Sequence, residues 1–260
     1  MASTVALSVG DGVARVTLDR PDAANAINLE LAEDLLRVAT EVAARDDVRA
    51  VLLRGSGARF CAGGDVKAFA IEPDLPAHLR AVTAALHPAI AALVELDAPV
   101  VAAVQGSAAG AGLGLVAAAD LVVAAASARF VMAYTGIGLS PDGSSSWFLP
   151  RLVGHRRAVE LTLTNRVLDA GEARDWGIVT TVVPDDDLEH EAEQLARTLS
   201  VGPTRAYGGA TRLLRESVRS SLRDHLALET ETIAALAATD DAREGLAAFV
   251  EKRKPKFHAT

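Results

Sequence analysis

The run Pro99-Val100-Val101-Ala102-Ala103-Val104-Gln105-Gly106-Ser107-Ala108-Ala109-Gly110-Ala111-Gly112-Leu113-Gly114-Leu115-Val116-Ala117-Ala118-Ala119 carries no charge, and its reading decides the fold. Together with Ala98 it matches the length of a transmembrane helix, about 20 residues. Pro99, Gln105, Ser107 and four glycines argue against a span, and alanine, not leucine or isoleucine, is its main apolar residue. The same pattern reads as a buried strand over Pro99–Val104, a glycine-rich turn and a buried helix over Gly110–Ala119. No second hydrophobic span and no flanking basic cluster accompany it, so no membrane association is expected.

Working outward, Thr4–Val9 and Val13–Leu18 alternate around Gly10, Asp11 and Gly12, which predicts a β-hairpin. Asn28 is placed to cap a helix through about Arg45, and Val48–Leu53 reads as a buried strand. Helical patterns follow near Asp65–Ala70 and from Pro76 to Glu95. The alternation predicts an α/β core. Beyond Leu121 come short strands, a loop at Gly136–Ser146, and helices starting at His155, Ala170, Leu188, Thr204, Ser221 and Asp240, the last ending near Lys252. This shift, punctuated by Gly202 and Pro203, predicts a catalytic core over residues 1–195 and a helical region over 196–260 that packs on the core or on a partner subunit.

The 260 residues are half hydrophobic and 23% charged, with a formal net charge of −8, which excludes disorder and a nucleic-acid-binding field. Such a chain is long enough to bury a catalytic pocket. The single Cys61 excludes an intrachain disulfide framework and a cysteine-only metal cluster, and the six histidines form no H-x-x-x-H pair, so no metal is expected. Asp185, Asp186 and Asp187 read as an acidic first turn of a helix, not a calcium site. The start MASTVALSVGDG has no basic or apolar leader pattern, and a cytoplasmic protein is expected.

Two glycine-rich turns follow strands. Gly106-x-x-x-Gly110-x-Gly112 has a spacing seen in some nicotinamide dehydrogenases, but it sits mid-chain and not in the first β-α unit, no acidic residue closes a following strand at the right distance, and neither Tyr134 nor Tyr207 has lysine four residues on. Glycines that let strand and helix pack closely are the plainer reading. The second turn is Arg59-Phe60-Cys61-Ala62-Gly63-Gly64-Asp65-Val66-Lys67. Two small-residue loops at helix starts after neighbouring strands can aim two backbone N–H groups at one oxygen, the geometry of an oxyanion hole.

Val16-Thr17-Leu18-Asp19-Arg20-Pro21 with Asn25-Ala26, the Phe60–Lys67 phrase, Gln105–Gly112 and Gly138-x-x-Pro141-Asp142-Gly143 together resemble the crotonase, or enoyl-CoA hydratase/isomerase, superfamily. The closing Arg243-Glu244-Gly245-x-x-Ala248-Phe249-x-x-Lys252-Arg253 is similar to its terminal helix. The resemblance implies an α/β spiral of β-β-α turns, a C-terminal helical trimerisation region, and homotrimers that commonly pair into hexamers. It implies an acyl-coenzyme A substrate and no separate cofactor. It places oxyanion donors on the N–H groups of Gly64 and Ala111. CoA would run along Ala24, Ala62, Gly64, Asp65, Val66 and Lys67, its adenine end near Ala24, Ala62 and Lys67.

The departures bear on the reaction. Where hydratases of this family carry two glutamates, this chain has Gly114 and Tyr134, neither a carboxylate acid/base. Asp142 stands where the resemblance puts the proton-shuttling aspartate of some enoyl-CoA isomerases, including the ring isomerase of phenylacetate breakdown. From the residues alone Asp142 reads equally as a turn aspartate or a helix N-cap in front of the serine run. The same position holds the nucleophile of the family's 4-chlorobenzoyl-CoA dehalogenases, a reading that needs an aromatic cage and further polar partners; no histidine occurs between Val101 and Asp120. Tyr134 reads either as a pocket residue or as a core tyrosine with a satisfied hydroxyl. The basic run of Lys252, Arg253, Lys254 and Lys256 reads either as a solvated helix end or, with Phe249, as a CoA contact from the same or an adjacent subunit.

Overall fold

Residues 3–259 are described by a computed structural model, in which β1 (Val5–Gly10) and β2 (Val13–Leu18) form an antiparallel hairpin. Its two-residue loop, Asp11-Gly12, has φ values of 54° and 74°, the double left-handed turn that matches strand twist. Then follow α1 (Leu29–Ala43), β3 (Ala50–Gly55), α2 (Val66–Phe69), α3 (Leu75–Val94), β4 (Val100–Val104), β5 (Ser107–Ala109) and α4 (Ala111–Ala118). The second half holds β6 (Leu121–Ala125), β7 (Arg129–Val131), α5 (Ser145–Val153), α6 (His155–Thr164), β8 (Leu168–Asp169), α7 (Ala170–Asp175), β9 (Thr181–Val183), α8 (Leu188–Ser200), α9 (Thr204–Glu216), α10 (Leu222–Ala237) and α11 (Asp240–Glu251).

Six strands form one sheet in the order β1-β2-β3-β4-β6-β9, parallel except for the first pair. Side chains alternate across it. Val51, Leu53, Ala102 and Val104 join the large core with α1 and α3, whereas Leu52, Val101, Ala103 and Val123 face Leu188, Ala192 and Ala196 of α8. The charge-free run is thus a strand of this sheet, a second short strand and a helix buried over most of its length. A different helix, α3, is long and apolar enough to cross a membrane, but it buries Val82, Leu86, Ile90 and Leu93 in the core and contains Pro88.

The elements expected from the sequence are present with ends shifted by one or two residues, and three strands, β5, β8 and β9, are additional. The turn at 106–110 contains β5, which pairs with β7 in a second, three-stranded sheet β5-β7-β8. The serine run starts α5 within the segment expected as a loop, as the helix-capping alternative for Asp142 allowed, although its two serines and Pro150 are poor helix formers. Helix α8 runs unbroken through the expected 195/196 boundary and covers one face of the sheet, and the chain leaves the sheet only near Gly202-Pro203. Beyond it, Gly208 lies against Asp97, and Gly209 against Thr232 and Leu236, so α9 meets both the core and α10 at glycines.

Arg49 ties the C-terminal tail to the core: its guanidinium donates to Phe257 O at 2.8 Å and Gly202 O at 2.6 Å. Asp241 accepts the N–H groups of His258 and Ala259 at 2.7 and 2.9 Å. Arg49→Ala leaves two carbonyls without their charged donor, so a loss of about 1–3 kcal/mol is expected in urea unfolding, with faster proteolysis of the tail.

Candidate active site

Strands β3 and β4 are parallel neighbours, so the chain leaves both at the same sheet edge and the two glycine-rich turns meet there. Phe60 N–H donates to Gln105 O at 2.9 Å, Cys61 N–H to Ser107 O at 3.1 Å, and Ala109 N–H to Cys61 O at 2.9 Å. Gly63 has φ 88°, and a Cβ there would stand 2.7 Å from Ala109 O, so the contact requires glycine on both grounds. Gly106 and Gly112 are similarly packed, against Ala58 O and against Cys61. They serve close packing, the plainer reading of that turn.

Asn25 holds the first turn in place. It is fully buried at φ 54°; its amide donates to Ser56 O, Arg59 O and Phe60 O at 2.8–3.1 Å, and its Oδ1 accepts Arg20 N–H at 2.8 Å. Asp65 caps α2 by accepting Ala68 N–H at 3.2 Å and pairs with Arg20 at 3.1 Å. Its side chain is thereby engaged in the loop itself. Burial pushes the Cys61 thiol up to about 12, and its Sγ lies 3.1 Å from Asn25 O.

Gly64 and Ala111 line one cavity of about 340 Å³ together with Tyr134 and Asp142. Its walls are otherwise mainly apolar, with Ile27, Phe69, Leu79, Val82, Leu86 and Leu139 among them. Among the described residues neither the Gly64 nor the Ala111 N–H donates to a backbone acceptor, and Ala111 is the first residue of α4, where no intrahelical acceptor exists. Both donors are available to a ligand oxygen.

Asp142 is the one carboxylate along this cavity among the described residues. It does not cap α5. That helix starts after Ser144, at φ 69°, and the contacts to its first turn come from the Asp142 backbone carbonyl, which accepts Ser145 N–H at 3.1 Å and Ser145 Oγ–H at 2.7 Å. The carboxylate instead accepts the Tyr134 hydroxyl on Oδ1 at 2.6 Å. Burial, and then the adjacent Asp142 charge, raise the Tyr134 pKa, so Tyr134 stays a donor. Oδ2 accepts no hydrogen bond among the described residues.

Gly114 abuts this loop, and a Cβ on it would run into Gly143 O, so no longer side chain fits. A second groove, of about 800 Å³, shares Ala62, Gly64 and Val66 with the cavity and is lined also by Ala24, Asp65 and Lys67. The six N-terminal CoA-binding candidates therefore line one groove. Phe249 and Lys252 line neither space: Phe249 is 84% exposed on α11, and Lys252 ends that helix at φ 56°. Arg253 is committed to Glu244 and Glu251. Two residues went unsingled in the sequence. Arg59 lines the groove beside Lys67, and His87 on α3 accepts Gly143 N–H on Nε2 at 3.4 Å, a pairing across 56 positions that no local pattern signals.

Fold and site define a class: an α/β spiral enzyme in which two backbone N–H donors and one carboxylate face an apolar cavity that continues into a cofactor-sized groove. The sequence profile of the enoyl-CoA hydratase/isomerase family matches residues 8–260. The chain is 40% identical to the "Probable enoyl-CoA hydratase" of Rhodobacter capsulatus, over 98% of this chain and 97% of that one. It is 38% identical to the 1,2-epoxyphenylacetyl-CoA isomerase of Escherichia coli, over 96% of each. The crystal structure of an enoyl-CoA hydratase from Bacillus anthracis superposes with a TM-score of 0.93 at 31% identity, covering 99% of this chain and 100% of that one. The chain belongs to the enoyl-CoA hydratase/isomerase, or crotonase, family.

Two outcomes follow from this geometry. Cys61 is expected to resist iodoacetamide in the native protein and to react fully in denaturant, read by mass spectrometry. Tyr134, whose folded pKa lies above its ordinary 10.0, favours the folded state fully below pH 10, and that contribution is lost as pH rises through the higher folded value. The stability difference between wild type and Tyr134→Phe, from urea unfolding, is expected to shrink only above about pH 10.

Proposed function

We propose that this enzyme isomerises enoyl-CoA thioesters, shifting a double bond or reorganising a ring beside the thioester, with Asp142 as the proton carrier. The observation that carries this reading is the single cavity carboxylate, held on one oxygen by Tyr134 and open on the other. The thioester oxygen would sit between the Gly64 and Ala111 N–H groups. Asp142 Oδ2 would take a proton from the carbon beside the carbonyl, and the electron pair would move onto the thioester oxygen as an enolate. Returning that proton two carbons further along completes the double-bond shift, with no water added and no atom lost. Each oxyanion donor is worth about 3–4 kcal/mol where such donors have been removed.

Water addition suits the site less, because the Gly114 and Tyr134 positions supply no carboxylate and the packing at Gly114 leaves no room for one. The CoA moiety would lie in the groove from Ala24 to Lys67, its phosphates toward Lys67 and Arg59. Exposed Leu226 and Ile233 on α10 and Leu246, Phe249 and Val250 on α11 support assembly into trimers or hexamers, in which Phe249 and Lys252 of one chain would reach a neighbour's CoA. A cytoplasmic location accords with these substrates.

A second reading, substitution on an aryl-CoA ring by Asp142, draws support from His87, which brings an imidazole to the residue after Asp142. Release of halide from 4-chlorobenzoyl-CoA would mark it.

The test is a panel of 3-enoyl-CoA, ring-epoxide CoA and 2-enoyl-CoA substrates. Asp142→Asn keeps the size and most hydrogen bonds, so kcat for isomerisation is expected to fall at least about 10²-fold with little change in acyl-CoA affinity. Efficient hydration of crotonyl-CoA without isomerisation, or full isomerase turnover in Asp142→Asn, overturns the proposal.

A further inference from the structure

The cavity reaches solvent-exposed residues that the groove does not share. Ala62, Gly64 and Val66 join it to the groove, whereas Arg80, Ile137 and Ser140 also line it, do not line the groove, and are exposed to solvent. An acyl chain entering from the groove therefore has a route past Asp142 towards Arg80.

Arg80 is the only basic side chain along this cavity among the described residues. It also lacks an ion pair among the described residues, on a chain with eight more acidic than basic side chains. Arg15, Arg20, Arg54, Arg166, Arg197 and Arg215 each meet a carboxylate. The residues one turn away on α3, Pro76, Ala77, Thr83 and Ala84, offer Arg80 none, and the nearby Glu72 pairs with His78 at 3.4 Å. A purely alkyl chain would cover the guanidinium stem and give its charge nothing. A carboxylate at the chain's far end would accept two parallel N–H bonds from it. Asp142 in the same cavity repels such an anion, which favours the outer end over the reacting centre.

We propose that Arg80 is a specificity determinant that selects acyl-CoA substrates bearing an anionic group, a carboxylate, at the end of the acyl chain remote from the thioester. The inference rests on the acyl-CoA reading of the site and not on which reaction Asp142 performs.

The test compares kcat/KM for 3-octenoyl-CoA and its ω-carboxylate counterpart, and in parallel the calorimetric affinities of saturated octanoyl-CoA and ω-carboxyoctanoyl-CoA. Wild type is expected to favour the carboxylate member of each pair, less so at high salt. Because the guanidinium is exposed and screened, Arg80→Gln is expected to lower that preference by about fivefold and Arg80→Glu to lower it further, whereas Arg80→Lys, which keeps the charge but not the paired N–H bonds, is expected to retain part of it. A merely structural role would weaken both members equally and leave their ratio unchanged. A ratio that is the same in wild type, Gln and Glu variants overturns the proposal. Binding preference without any isomerisation overturns the isomerase reading and leaves the role of Arg80 standing.

Discussion

The contact between Gly63 and the Ala109–Gly110 backbone is the constraint on which the rest of the site depends. A Cβ at Gly63 would stand 2.7 Å from Ala109 O, so the two turns approach only because one of them carries no side chain there. Each of the two available N–H groups belongs to the residue after a glycine of this contact, Gly64 after Gly63 and Ala111 after Gly110. The donors are thus positioned by backbone against backbone, where no rotamer can relax them away. The Asn25 amide, bonded to three carbonyls of the preceding loop, and the short Cys61–Ala108 bridge hold the approach fixed. The parallel pairing of β3 and β4 brings both turns to one edge.

The carboxylate arrives from the other side by a strained path. Ala133 at φ 60° and Ser144 at φ 69° occupy the left-handed region without being glycine, an expense of about 1–3 kcal/mol each. The Tyr134 hydroxyl on Asp142 and the two Ser145 bonds to the Asp142 carbonyl offset that strain. Gly114 belongs to the same design. Its missing side chain lets the 142–144 loop lie directly on α4, so the absence of a glutamate on that helix and the placement of Asp142 in the cavity are one steric fact. A chain of this family cannot carry both a long acid at position 114 and this loop at this distance.

The second sheet face shows how the helical half of the chain is divided. Helix α8 is a core element because Leu188, Ala192 and Ala196 complete the cover of Leu52, Val101 and Val123. Helix α10 buries no residue, and Leu226 and Ile233 on α10 and Leu246, Phe249 and Val250 on α11 face outward. The composition of these helices is similar, so composition alone does not tell the sheet-covering helix from the outer ones. Where the core ends depends on which helix the sheet needs to exclude water from its second face.

Periodicity and punctuation are local, and they were legible. The Asp11-Gly12 turn, the Asn28 cap, the alternating strands and the start of each terminal helix follow from residues within a few positions of one another. The charge-free run was readable as strand, turn and helix for the same reason, since proline and glycine break a span wherever it folds. The phrases around the two glycine turns and Asp142 carried the family. What Asp142 does was not legible: the residues allowed an N-cap, and only the folded loop takes its carboxylate away from the helix and places it on Tyr134. Nor could His87 beside Gly143, Arg80 along the cavity, or the clash that keeps Gly114 bare be read from spacing. Each joins segments of 29 or more positions apart, and such contacts are set by how strands and helices stack, not by the residues that flank them.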